Sequence, residues 1–255
     1  MKIQELYYFL NERIPESLSC EWDNDGLMCC PDGSREVHRV LIALDITAAI
    51  AERAINEGYD VILSHHPLIF RPLKALNDSD PVAKKTLRLL LSGVTAMSFH
   101  TRLDAVVGGV NDTLAAALGL LEVVPFAENG EEIGRIGELK DAMTLDDFAA
   151  RVKSVTGAPY VQVADAGVPV RRVALLGGGG ASDADAAKAA GADTYLTGEL
   201  KHNQLTDAPE NGMNLIAAGH FYTEDLVCRR LAELVAEADP KIEITVANSN
   251  AVRFI

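Results

Sequence analysis

The chain has 255 residues, 48% hydrophobic and 24% charged, the balance of a soluble globular protein with room for one large α/β domain or two ordinary ones. A net charge of −14 argues against a general binder of nucleic acid or anionic membrane, which would carry a basic footprint. It leaves open a phosphate-bearing substrate, because a bound metal reverses the local sign. No run approaches the ~20 apolar residues of a membrane span, and acidic residues near the N-terminus replace the apolar core of a signal peptide. Cys20, Cys29, Cys30 and Cys228 show neither C-x-x-C nor framework spacing, so reduced thiols in a cytoplasmic protein are expected, with Cys29-Cys30 a pair of small buried hydrophobes.

Ile3, Leu6, Tyr7 and Leu10 share one face of an N-terminal helix. Trp22-Asp23-Asn24-Asp25-Gly26-Leu27 follows and reads as a structural turn under an anchoring aromatic, since Asp and Asn bond their own backbone there. Val40 to Leu44 is a strand, Thr47 a helix cap, and Ala48 to Asn56 a helix closed by Gly58. A short buried strand, Val61 to Leu63, completes a βαβ unit with parallel strands. Asp45 falls at a strand's C-terminal end, where α/β sheets collect ligands.

Ser64-His65-His66-Pro67 leaves the second strand at the corresponding end. Pro67 withholds an N–H and favours the exit, so two neighbouring imidazoles can serve one site as metal ligands or as an acid/base pair. The competing reading is one exposed histidine beside one hydrogen-bonded core histidine. A helix from about Pro81 to Leu91, a strand from Val94 to Phe99, the polar segment His100 to Asp104 and a helix from about Asn111 to Leu118 follow. Between residues 121 and 170 only a helix over Asp146 to Val155 and a strand over Tyr160 to Val163 stand out.

Shifted by 133 residues, Arg39 to Asp60 falls on Arg172 to Asp193 without a gap and with seven identities in 22 positions, Gly58/Gly191 and Asp60/Asp193 among them. The order of elements then continues to agree. Gly198-Glu199 takes the place of the histidine pair. At a shift of 120, His100 falls on His220 and Asp104 on Glu224, so both strands are expected to end in His-x-x-x-carboxylate. The fold class expected is α/β, a duplicated three-layer unit with halves at residues 1–125 and 126–255 and a metal site in the cleft between them. Gly177 to Gly180 reads as a tight turn or close approach, with anion contact the minority reading, because no Gly-Lys-Ser/Thr follows.

His65, His66, Asp104, His220 and Glu224 are thus the candidate metal ligands. Nitrogen and oxygen donors without thiolate suit Zn, Mn, Fe, Co or Ni, and five ligands suit two divalent metal ions better than one. His100 is a candidate sixth ligand, supporting partner or general acid/base, and Asp45 a residue that orients a ligand or water. The chemistry expected is hydrolysis of a phosphoester, an amide or a cyclic C–N bond, on a small-molecule substrate such as a nucleotide. A non-catalytic metal-binding or chaperone-like ring is the alternative.

Trp22-Asp23-Asn24, Gly26-Leu27, Ala43 to Thr47, Ser64 to Leu68, His100-Thr101, Leu103-Asp104, Ala192 to Lys201 and Gly219 to Glu224 together resemble the motifs of the Nif-three-like family, whose members usually carry the name GTP cyclohydrolase 1 type 2 homologue. The resemblance runs the length of the chain. It implies a dinuclear metal site at the five residues above, two similar halves, a homohexamer, and the short form without an extra domain. Arg102 stands where the family generally has Asn, and a cation there is expected to meet a substrate phosphate or weaken a metal.

Overall fold

The computed structural model describes residues 1–128 and 131–253. In chain order its helices and strands are α1 (Ile3–Arg13), β1 (Gly26–Cys29), β2 (Arg39–Ala43), α2 (Ala48–Glu57), β3 (Val61–Ser64), α3 (Pro81–Leu91), β4 (Thr95–Ser98), α4 (Thr101–Ala105) and α5 (Val110–Leu118). There follow β5 (Leu121–Glu128), β6 (Glu131–Met143), α6 (Leu145–Thr156), β7 (Gln162–Ala164), β8 (Val170–Leu176), α7 (Ala184–Ala189) and β9 (Thr194–Thr197). Last come α8 (His202–Glu210), β10 (Asn214–Ala217), α9 (His220–Glu224), α10 (Val227–Ala238) and β11 (Glu243–Val246). Among the described residues no helix is long and apolar enough to cross a membrane.

Two compact units result, one of residues 1–106 with 227–253, the other of residues 107–226. They are drawn differently from the halves expected at residues 1–125 and 126–255. A cut at 125/126 falls inside β5, and β11 returns to pair in parallel with β2. The period-2 and period-3.6 patterns that mark elements do not say which sheet edge a late strand will find.

The first unit holds a five-stranded sheet in the order β1-β4-β3-β2-β11. Every residue of β3 and β4 is buried, as expected for parallel strands covered on both faces. Alternation divides their side chains: Leu41, Ala43, Ile62 and Ala96 pack with Ile50, Ala51 and Ala54 of α2 and Leu89 of α3. On the other face α10 lies against β2 and contacts α1. Helix ends follow local chemistry. Thr47 Oγ1 accepts from Ile50 N at 3.2 Å to open α2, and Asp80 accepts from Val82 and Ala83 N at 2.8 Å, with Pro81 in the first turn, to open α3.

The second unit holds a six-stranded sheet in the order β5-β6-β8-β9-β10-β7. Leu196 and Ile216 face a layer containing α5 and α6, while Tyr195 and Leu215 face one containing α7. The long β5–β6 hairpin occupies the stretch where the sequence offered no clear period.

The protein is therefore an α/β fold with two similar halves, and the repeat extends to single hydrogen bonds. Asp60 Oδ2 accepts from His38 N and Arg39 N, and Asp193 accepts from Arg171 N and Arg172 N at the positions 133 residues on. In each unit the third parallel strand has an antiparallel edge neighbour, β1 on β4 and β7 on β10.

Register corrects one expectation. Val61 pairs with Thr95, and Thr194 with Asn214, so β4 and β10 correspond at a shift of 119 rather than 120. His100 is then equivalent to Gly219, the two residues that precede α4 and α9, and His220 to Thr101. The similarity of His-x-x-x-carboxylate drew the sequence alignment one residue off. Backbone ladders set equivalence, and a one-residue slip reverses every side chain in a strand.

Candidate metal centre

In the first unit the site lies at the C-terminal ends of three adjacent parallel strands, with Asp45 after β2, His65 and His66 after β3 and His100 after β4. This is where an open α/β sheet presents loops that bind ligands. Ser64 fixes the exit from β3: its hydroxyl donates to His66 O at 2.8 Å and meets Ser98 Oγ at 2.9 Å, while His66 N donates to Leu44 O.

His65 is fully buried, and its Nδ1 donates to Phe99 O at 2.9 Å. His66 Nδ1 donates to Asp45 Oδ1 at 2.7 Å, and His100 Nδ1 to Asp23 Oδ1 at 2.8 Å. A carbonyl or carboxylate only accepts, so each neutral ring carries its proton on Nδ1 and offers Nε2, the tautomer of a metal-ligating histidine. One ring nitrogen from each of the three lies within 4.8 Å of the others, a grouping that can hold a metal ion. Asp104, on α4, places Oδ1 3.7 Å from His65 Nε2.

Supporting contacts hold these rings. Ser249 Oγ receives Asp45 N at 3.0 Å and lies 3.4 Å from Asp45 Oδ2. Burial alone would raise the Asp23 carboxyl, but hydrogen bonds from His100 and Thr101 outweigh it and hold the group well below the usual carboxylate range. Burial also lowers the Lys85 ammonium, against the opposing pull of Asp45 and Asp80.

The turn at Trp22 is thus more than the structural loop expected. Asp23 braces His100 and also accepts from Thr101 N and Oγ1, while Asp25 accepts from His100 N and Arg102 Nε. Trp22 is no buried anchor, since it is 59% exposed. Two carboxylates ahead of the strand bearing a histidine were the available signal for Asp23.

Arg102 does not have the role expected of it. Only 1% exposed, it pairs with Asp25 at 3.0 Å, donates to Asn11 Oδ1 at 2.6 Å and Ile14 O at 3.2 Å, and lies over the Phe99 ring. It ties α1 and the Trp22 turn to α4, and its charge is spent inside the unit. Cys29 is the small buried hydrophobe expected, with its thiol pushed up to about 11 by burial.

The second unit builds the same strand ends differently. His220 opens α9 and Glu224 lies one turn on, with His220 Nε2 and Glu224 Oε2 3.2 Å apart. His220 Nδ1 donates to Glu199 Oε1 at 3.1 Å, so a carboxylate again stands behind an imidazole. Glu199 occupies the position equivalent to His66, and Gly198 that of His65. A Cβ at Gly198 would come 2.5 Å from Gly178 O and 2.7 Å from His220 Cα, which bars a histidine from that place.

The glycine turn after β8 serves close approach. Three of its four N–H groups are committed inside the unit, Gly177 to Asn111 Oδ1, Gly178 to Thr223 Oγ1 and Gly180 to Thr197 Oγ1. Gly178 has φ +63°, and a Cβ there would collide with Glu224 Oε1 and come 3.0 Å from His220 Nε2. These contacts take up three of the donors that an anion would need.

An α/β protein of two similar halves, with strand-end histidines braced by carboxylates, is the class that fold and site define. The Duf34/NIF3 (NGG1p interacting factor 3) family profile matches residues 1–252, and the chain belongs to that family. It is 36% identical over 270 positions to Protein NIF3 homolog of Schizosaccharomyces pombe, covering 98% of this chain and 94% of that protein. It is 31% identical to a GTP cyclohydrolase 1 type 2 homolog of Clostridium perfringens, covering 97% and 96%. The crystal structure of Staphylococcus aureus protein SA1388 superposes with a TM-score of 0.88 at 27% identity over 100% of this chain and 99% of that one.

Proposed function

We propose that the protein is a divalent-metal-dependent hydrolase acting on a phosphate-bearing or nucleotide-like small molecule. The observation that carries this reading is the set His65, His66 and His100, each with Nδ1 committed to an oxygen and one ring nitrogen within 4.8 Å of the other two. Two ions are proposed, with His65, His66, Asp104, His220 and Glu224 as their ligands, the set that the family resemblance implies. Nitrogen and oxygen donors admit Zn, Mn, Fe, Co or Ni. Such ions supply Lewis acidity toward a phosphate or carbonyl oxygen and make bound water acidic.

The chain's own groups set orientation and proton traffic. Asp45 fixes the His66 tautomer, and Asp23 stands behind His100 as an orienting carboxylate stands behind a general base. Metal analysis of purified protein, with phosphate release measured on a nucleotide panel, tests the reading. His66→Ala and Glu224→Ala should lose metal and turnover together. Full hydrolysis by a metal-free double variant would refute it.

Ring opening in GTP is the second reading, favoured by the name that the Clostridium relative carries. Formate release on the same panel separates the two. Metal retained with neither product formed would instead leave a metal-binding or delivery protein. A homohexamer is proposed from the family resemblance, and light scattering checks it.

A further inference from the structure

The first unit carries an aromatic rim that the chemistry above leaves unused. Trp22, the chain's single tryptophan, is 59% exposed and Phe70 is 44% exposed. Their ring centroids are 6.2 Å apart at 77°. Trp22 meets His100 at 6.3 Å and 79°, and Phe70 meets it at 5.9 Å and 87°. Three rings near right angles form a corner with His100 as one wall. Large rings left in water forgo the burial that aromatic side chains ordinarily gain, and such exposure beside a histidine cluster is what a ligand site requires.

The corner is held in place on both sides. The Asn24 side-chain amide donates to Ile69 O, tying the Trp22 turn to the segment that bears Phe70, and Asp23 holds the His100 ring. Arg71 follows Phe70 directly in that segment, and Lys74 comes after Pro72 and Leu73. Both cations are exposed, and neither makes an ion pair or hydrogen bond among the described residues. In a chain of net charge −14, two uncommitted cations in the segment that carries one ring of the corner match an anionic substituent on a ring.

We propose that Trp22, Phe70 and His100 form a stacking site for a flat, π-bearing ring, and that Arg71 and Lys74 receive an anionic group on the same molecule. This assigns a substrate class to the metal centre and rests on the preceding proposal for the chemistry, while the binding itself is measured apart from it. Stacking against aromatic side chains tolerates many rings, so the site selects flatness and charge rather than one base.

Because Trp22 is the only tryptophan, indole emission reports on this corner alone. The intact protein is titrated with guanosine 5′-monophosphate, with guanosine and with ribose 5-phosphate. Guanosine 5′-monophosphate should quench saturably, guanosine should bind more weakly, and ribose 5-phosphate should leave the emission unchanged. Phe70→Ala should weaken nucleotide binding about five- to a hundredfold. The double variant Arg71→Ala, Lys74→Ala should weaken the nucleotide about three- to tenfold and leave guanosine unchanged. Absence of saturable quenching, equal quenching by ribose 5-phosphate, or unaltered affinity in Phe70→Ala would overturn the proposal. Metal content measured in each variant keeps the two ideas apart. Protein that binds the ring but takes up no added metal and releases no product refutes the hydrolase alone, and metal-replete, active protein that ignores the ring refutes the stacking site alone.

Discussion

Adding one methyl group at Gly178 should disturb the second unit's ligands without touching them chemically. An alanine at φ +63° adopts the left-handed region at a cost of about 1–2 kcal/mol. Its Cβ would also overlap Glu224 Oε1, and Glu224 is 5% exposed with little room to retreat. Moving that carboxylate off its rotamer adds about 0.5–1.5 kcal/mol. The sum, about 1.5–3.5 kcal/mol, lowers the melting temperature by about 3–14 °C for a chain of this size. Metal content should fall as well, since Glu224 is a proposed ligand. Gly179→Ala is the control, because nothing lies within 4 Å of its Cβ position. Melting curves and metal analysis of both variants decide the matter. Gly178→Ala as stable and metal-replete as the parent, or Gly179→Ala equally damaged, would refute the reasoning.

Asp45→Ala should weaken metal binding about 10- to 100-fold, read by chelator competition, because it removes the carboxylate that fixes the His66 ring. Arg102→Met should cost about 3–5 kcal/mol in urea unfolding by leaving Asp25, 4% exposed, as an uncompensated buried charge. Adding Asp25→Asn should recover part of that loss, and a cycle with no coupling would show the pair to be independent. Cys29 should resist alkylation at pH 8 in the folded protein and react once urea is added, as mass spectrometry would show. Its folded thiol titrates near 11 against an ordinary value of 9.0. Unfolded chains therefore release this proton first, and the Cys29 contribution makes stability fall as pH rises from about 9 toward 11.

Sequence patterns were most legible where one period ruled a whole element. The helix expected from about Pro81 to Leu91 has those bounds, with Asp80 as its cap and Pro81 in its first turn. Asp60 and Asp193 were visible as a repeated pair, although their shared task of receiving two backbone N–H groups was not. The β5–β6 hairpin escaped because its strands lack clean alternation and carry Pro125, Gly134 and Gly137. Asp23 escaped because its partner, His100, lies 77 residues away. Arg102 was placed near the site by its neighbours in sequence, but a helix turns each successive residue by about 100°, and the arginine faces the interior. Equivalence of His100 with His220 failed for a similar reason, since residue identity and backbone register pointed one position apart.

The return of α10 and β11 to the first unit bears on the order in which the protein can be completed. The second unit is written in one uninterrupted stretch, whereas the first waits for its final layer and its edge strand until more than a hundred further residues have been made. During that interval the β2 edge lacks its partner, and the sheet face meant for Val227, Leu231 and Val235 lacks its cover. A chain halted after Leu226 should accordingly show protease cuts in residues 1–106 and protection in residues 107–226, and the reverse pattern would exclude this order. Two of the five proposed ligands, His220 and Glu224, therefore reach a finished scaffold early, and the histidine pair after β3 is among the last parts of the protein to become fixed in place.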